Sequence, residues 1–228
     1  MNLRQITYLV AIAFSLILFI TIFVMEMKAF GRTGSKKYSF LRYFPFELNR
    51  YRRDSNWSYC YPIGVIAASL ALSLASFSFA LAVQGNGGAI IIAYIIAAIS
   101  TITAIVFNIV TFVKLSNYLM HLIFAVVFLC LNLLNLVLQL FFFTNPNYSF
   151  VSLPNQASQI TIFVFVFLLL ILEAVLMFNP AYKRWNKMVK VDAETFNRPR
   201  FNYLAMLEWG NFLIYILSFV PIGILMFF

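Results

Sequence analysis

The 228-residue sequence predicts an all-α integral membrane protein of six transmembrane helices. Three observations carry this prediction. Apolar residues make up 63% of the chain and charged residues only 10%, too hydrophobic a balance for a water-solvated surface. A helix rising 1.5 Å per residue needs roughly 20 apolar residues to cross about 30 Å of hydrocarbon, and six stretches reach that length. Fifteen of the sixteen Lys and Arg residues fall in three gaps between those stretches, all on one side of the expected bilayer.

The spans are expected at about 6–25, 62–84, 89–113, 118–143, 160–178 and 203–228. They are continuously apolar and lack the alternation that marks a membrane strand, so helices are implied rather than a barrel. The first span is longer than the apolar core of a cleaved signal peptide and runs directly into Glu26-Met27-Lys28, so it is expected to be retained. The Gly85-Asn86-Gly87-Gly88 turn makes spans two and three a tight hairpin, and Lys114-Leu115-Ser116-Asn117 does the same for spans three and four. Spans two to four should therefore be antiparallel neighbours. Arg198-Pro199-Arg200 ends any helix before the sixth span begins. Residues 1–228 form a single polytopic domain in this reading, with two basic connections at about 26–61 and 179–202.

Orientation follows from the cations. The first connection carries Lys28, Arg32, Lys36, Lys37, Arg42, Arg50, Arg52 and Arg53; the short third-to-fourth turn carries Lys114; the fifth-to-sixth connection carries Lys183, Arg184, Lys187, Lys190, Arg198 and Arg200. The opposite side has only Arg4. Cationic loops stay in the cytoplasm, so both termini are expected to be extracytoplasmic. A bacterial plasma membrane is the expected location, from the Phe, Ile and Asn richness of the composition.

Within residues 27–60 the cations alternate with Tyr38, Phe40, Leu41, Tyr43, Phe44, Phe46, Leu48 and Tyr51, a mixture suited to the headgroup boundary. Eight cations against Glu47 and Asp54 leave a local charge of +6. Each juxtamembrane cation is worth about 1 kcal/mol against an anionic leaflet. Lys36, Lys37, Arg42, Arg50, Arg52, Arg53, Lys183, Arg184 and Lys187 are thus the candidates for contact with anionic lipid headgroups, or for docking a protein partner. The net charge of +9 does not point to nucleic acid, because the basic residues border spans and the membrane boundary accounts for their aromatic neighbours.

Ionisable residues inside the spans are the best pointers to function, since each costs roughly 2.5 to 3.5 kcal/mol to insert. Glu173, Glu208 and His121, with Asn108 and Lys114, are expected at similar depth in the cytoplasmic half. Two readings stand: an ion or proton relay, and a polar clamp fixing helix packing. Asn132, Asn135 and Gln139, spaced i, i+3 and i+7, share one face of the fourth span nearer the outside. That face suits interhelical hydrogen bonding or the lining of a solute pocket. Ser69, Ser73 and Ser76 with Ala68, Ala71 and Ala75 form a small-residue ridge suited to close packing.

No cofactor and no metal site are expected. A single His excludes bis-imidazole haem ligation within the chain, Cys60 and Cys130 are expected at different depths, and no phosphate-cradling Gly-Lys-Ser/Thr loop is present. An enzyme is disfavoured. The leading expectation is a non-catalytic subunit or accessory component of a membrane transport or assembly complex. A small solute or ion transporter or channel using intramembrane carboxylates, proton-coupled, is the alternative, and a membrane-embedded lipid-modifying enzyme is a third.

Overall fold

A computed structural model describes residues 3–33, 38–45, 47–48, 60–83, 87–113, 117–144, 156–180, 189–190, 196–197 and 201–227. The elements in chain order are α1 (Leu3–Thr33), α2 (Cys60–Ala82), α3 (Gly87–Phe112), α4 (Tyr118–Thr144), α5 (Gln156–Met177), β1 (Val189–Lys190), β2 (Phe196–Asn197), α6 (Tyr203–Leu217) and α7 (Phe219–Phe227). The two short strands pair antiparallel, Val189 opposite Asn197. Six stretches are helical, long and apolar enough to cross a membrane, the sixth being Tyr203–Ile224, which α6 and α7 share.

Two boundaries differ from the expected ones. Residues 26–33, expected to begin the first connection, continue α1, because Met-Glu-Met-Lys-Ala holds strong helix formers and Glu26 is buried against the bundle. The sixth span is broken rather than continuous. Pro221 has no N–H and its ring crowds the carbonyl of Leu217, so α6 stops there and the chain resumes as α7 after Ser218. The break is held locally by the Ser218 hydroxyl donating to the Tyr215 carbonyl at 2.7 Å. The Tyr8 hydroxyl of α1 donates to the Phe219 carbonyl at 2.5 Å.

Helices α1 to α5 pack each against the next, and α2, α3 and α4 are successive neighbours as their short turns require. Helix α6 closes the arc. Its Phe212 ring lies 5.3 Å from Phe19 and from Phe23 of α1 and stacks on Phe107 of α3 at 4.9 Å, while Tyr215 meets Phe128 of α4 at 5.5 Å. Ile214 joins Leu136 of α4 and Ile162, Val166 and Leu169 of α5. Interdigitated rings suit a membrane interior, where dispersion and ring geometry hold helices that the hydrophobic effect cannot.

The burial pattern is inverted relative to a water-soluble protein. Ile17, Ile20, Leu70, Ile91 and Val175 face outward, while Ser76, Thr103, His121, Asn132, Asn135 and Glu173 are fully buried. An apolar exterior around a polar interior is the arrangement hydrocarbon solvent selects.

Helices α1 and α2 approach closely at Gly64. A Cβ there would overlap Ile22 Cδ1 and lie 3.0 Å from Ile22 Cγ1. Because the overlap falls on the flexible end of Ile22 and alanine gains helix propensity, Gly64→Ala is expected to destabilise the protein by no more than about 1 kcal/mol, and Ile22→Val, which deletes the clashing methyl, should remove that loss. Unfolding in mixed detergent micelles measures both, and no coupling between the two substitutions would contradict the contact.

Candidate functional site

Helix α4 supplies the backbone of the site. His121, Ala125, Phe128, Asn132, Asn135, Gln139 and Phe142 recur at alternating steps of four and three residues and are all buried. A helix with that period turns one continuous stripe inward. His121 and Gln139 are eighteen residues apart on the stripe, about 27 Å by helix rise, against a hydrocarbon core of about 30 Å. Helix α6 presents Glu208, Asn211 and Tyr215 at i, i+3 and i+7.

The two faces meet at two levels. At the basic end, His121 Nε2 lies 3.0 Å from Glu208 Oε1, a hydrogen bond for neutral imidazole with its proton on Nε2 and an ion pair for imidazolium. Phe44 packs its ring edge-on to this imidazole at 6.4 Å. Deeper in the bundle, Asn211 joins α5 to α6. With its Nδ2 turned toward Glu173, Asn211 donates to both carboxyl oxygens, at 2.5 and 2.9 Å. With the amide reversed, Asn132 Nδ2 donates to Asn211 Oδ1 at 3.3 Å, and the same oxygen is placed to accept a proton from a protonated Glu173. The ionised and protonated carboxyls each find a partner through one amide rotation.

Between these levels lies a cavity of about 30 Å³ bordered by Glu208, Asn211, Thr111, Pro45, Phe107 and Phe128. That is room for a water molecule, which needs at least about 10–15 Å³, and not for an organic solute. Beyond Asn132, the Ser100 hydroxyl of α3 donates to Asn135 Oδ1 at 3.3 Å. Asn132 Oδ1, Asn135 Nδ2, both amide atoms of Gln139 and the Tyr215 hydroxyl are buried without a protein partner. Buried polar atoms in a fold are nearly always satisfied, so spare capacity in a row points to bound water.

The expected relay residues divide into three groups. His121 and Glu208 are in contact, and Glu173 is not with them. It sits level with Asn132, eleven residues further along α4 than His121, about 16 Å by helix rise. Depths counted from span ends put Glu173 and His121 at similar depth because they treat every helix end as lying in one plane, which helices of different length and tilt do not obey. Asn108 faces elsewhere: its Nδ2 donates to Ala104 O at 2.8 Å and it lines a groove between α2 and α3. Lys114 lies outside the described residues. So do Lys36, Lys37, Arg50, Arg52, Arg53, Lys183, Arg184 and Lys187.

Of the first connection, residues 38–45 and 47–48 fold against α6. Trp209 Nε1 donates to the Tyr43 carbonyl at 3.1 Å and to the Tyr38 hydroxyl at 3.2 Å, and that hydroxyl donates on to the carbonyls of Tyr43 and Phe44, each at 3.1 Å. Burial pushes the Tyr38 hydroxyl above its ordinary range, and the Trp209 hydrogen bond only partly opposes it. Asn202 N donates to Leu41 O at 2.7 Å, and the Arg42 guanidinium lies 5.7 Å from the Tyr43 ring centre. Glu47 caps the turn by accepting from Phe44 N at 2.9 Å. Residues 44 and 45 thus cover the end of the polar stripe.

Asn211 was the residue sequence reasoning missed. Its signal was present, because it follows Glu208 by three positions and precedes Tyr215 by four. No protein-family model matches the chain, and no curated protein or solved structure matches it. The fold and the buried polar file define the chain as a multi-pass membrane protein.

Proposed function

We propose that the protein moves protons, alone or coupled to a second solute, along the file of polar side chains between α4, α5 and α6, with Glu173 as the proton-carrying group. The observation that supports this best is Glu173 itself, fully buried with amides for partners and no cation against it among the described residues. Magnitudes favour a path over a clamp. A hydrogen bond between membrane helices averages about 0.6 kcal/mol and reaches about 1.7, whereas inserting an ionisable side chain costs roughly 2.5 to 3.5 kcal/mol. Two amide bonds of average strength do not offset that cost, and an apolar pair would hold α5 to α6 as well.

In this reading the basic end faces the cytoplasm of a bacterial plasma membrane. A proton passes between His121–Glu208 and Glu173 through water in the small cavity, and rotation of the Asn211 amide keeps the carboxyl bonded in both protonation states. Ser100, Asn135 and Gln139 continue the file toward the other end. Purified protein in liposomes holding a pH dye, driven by a potassium diffusion potential, is expected to show proton flux that Glu173→Gln abolishes. Flux no greater than in protein-free liposomes, or unchanged in Glu173→Gln, removes the proposal.

A second reading, as a non-catalytic subunit of a transport or assembly complex, is favoured by the aromatic segment 38–45, whose bonds to α6 and Asn202 give the basic end a fixed surface for a partner. Its signature is a stoichiometric partner after gentle purification from the native membrane, lost on charge reversal at Arg42.

A further inference from the structure

A groove of about 560 Å³ runs along the lipid-facing side of α2 and α3. It is apart from the polar file, none of whose residues line it. Its lining on α3 extends from Thr101 to Val113, twelve residues or about 18 Å by helix rise, close to the depth of one leaflet. Volume and lining match a small-molecule site, mostly apolar with a few placed polar groups. Two of those groups lack partners. Ser69 is 3% exposed with its hydroxyl unbonded, and Asn108 spends its Nδ2 on Ala104 O, leaving Oδ1 buried and unbonded.

In a bilayer something fills such a groove, and its chemistry is restricted by Asn108 Oδ1. That atom only accepts, so it needs a donor about 6 Å inside the end of α3, four residues before Phe112. Acyl tails have no donor and ester carbonyls only accept, so hydrocarbon filling alone leaves Oδ1 unbonded. A free hydroxyl at the head of a hydrocarbon tail donates to Asn108, while the tail lies along Ser69, Leu70, Ser73, Thr101 and Ile105. We infer that the α2–α3 groove binds a neutral lipid alcohol, its hydroxyl held by Asn108.

The test is thermal unfolding of the detergent-purified full chain with increasing oleyl alcohol or oleyl methyl ether, which share a tail but differ in the donor. The alcohol is expected to raise the unfolding midpoint at a concentration about three- to eighteen-fold lower than the ether, the ratio one membrane hydrogen bond supplies. Asn108→Leu should remove the distinction between the two probes. The comparison on the unsubstituted protein stands even if a variant does not fold. Equal shifts by both probes would show simple filling by hydrocarbon and overturn the inference, as would no shift by either. A second polypeptide cross-linked to Ser73→Cys or Ile105→Cys in native membranes, and not displaced by oleyl alcohol, would assign the groove to a partner helix instead.

Discussion

Asn211→Leu is expected to destabilise the protein by about 2–3 kcal/mol, the largest effect of any single polar substitution in the bundle. The substitution removes the two hydrogen bonds that Asn211 donates to Glu173, and it strands a carboxyl where water is scarce. If the carboxyl is what makes the loss large, removing it as well should help. Glu173→Leu combined with Asn211→Leu is expected to be more stable than Asn211→Leu alone, because an apolar pair has nothing left unbonded. Equilibrium unfolding in mixed micelles gives the coupling energy. A loss near 0.6 kcal/mol for Asn211→Leu, with no coupling to Glu173, would mean that the two side chains are not partners.

Trp209→Ala should cost about 2–3 kcal/mol and free the segment that covers the basic end. Full burial would put a Trp truncation at about 3–5 kcal/mol, and Trp209 is half-buried at the boundary. Its ring packs against Phe40 at 4.9 Å and Phe23 at 5.3 Å, and its N–H holds both Tyr38 and Tyr43. Loss of these contacts releases residues 38–45 from α6, so tryptic cleavage after Arg42 should accelerate several-fold. Trp209→Phe keeps the ring contacts and loses the donor, and should fall between. Cleavage unchanged in Trp209→Ala would show that the Asn202 bonds to Leu41 and Arg42 hold the segment without the indole.

The spans were legible because their length and continuous hydrophobicity answer directly to bilayer thickness. The break at Ser218 was less so: Pro221 was visible, but an apolar run that continues on both sides hides a kink. The inward face of Asn132, Asn135 and Gln139 was legible from spacing alone, as spacing on one helix fixes which side chains share a side. Which residue on another helix meets them is a matter of rotation, tilt and axial offset, and no single segment encodes those. Glu173 was therefore recognised as a polar residue of interest, while its partner Asn211 on α6 was not. Glu26 and Glu47 were counted as connection residues because charge in a loop reads as solvated, whereas both are buried against the bundle.

The polar file depends on that axial offset, and cysteine cross-linking tests it directly. In a Cys60→Ser, Cys130→Ser background, Glu173→Cys is paired with Asn132→Cys in one protein and with His121→Cys in another. A protease site placed within residues 145–155 separates α4 from α5 after treatment with a short thiol-to-thiol cross-linker. The fragments should stay joined in the Asn132 pair and part in the His121 pair. Joining through position 121 and not 132 would return Glu173 to the level of the His121–Glu208 pair and break the file at its centre.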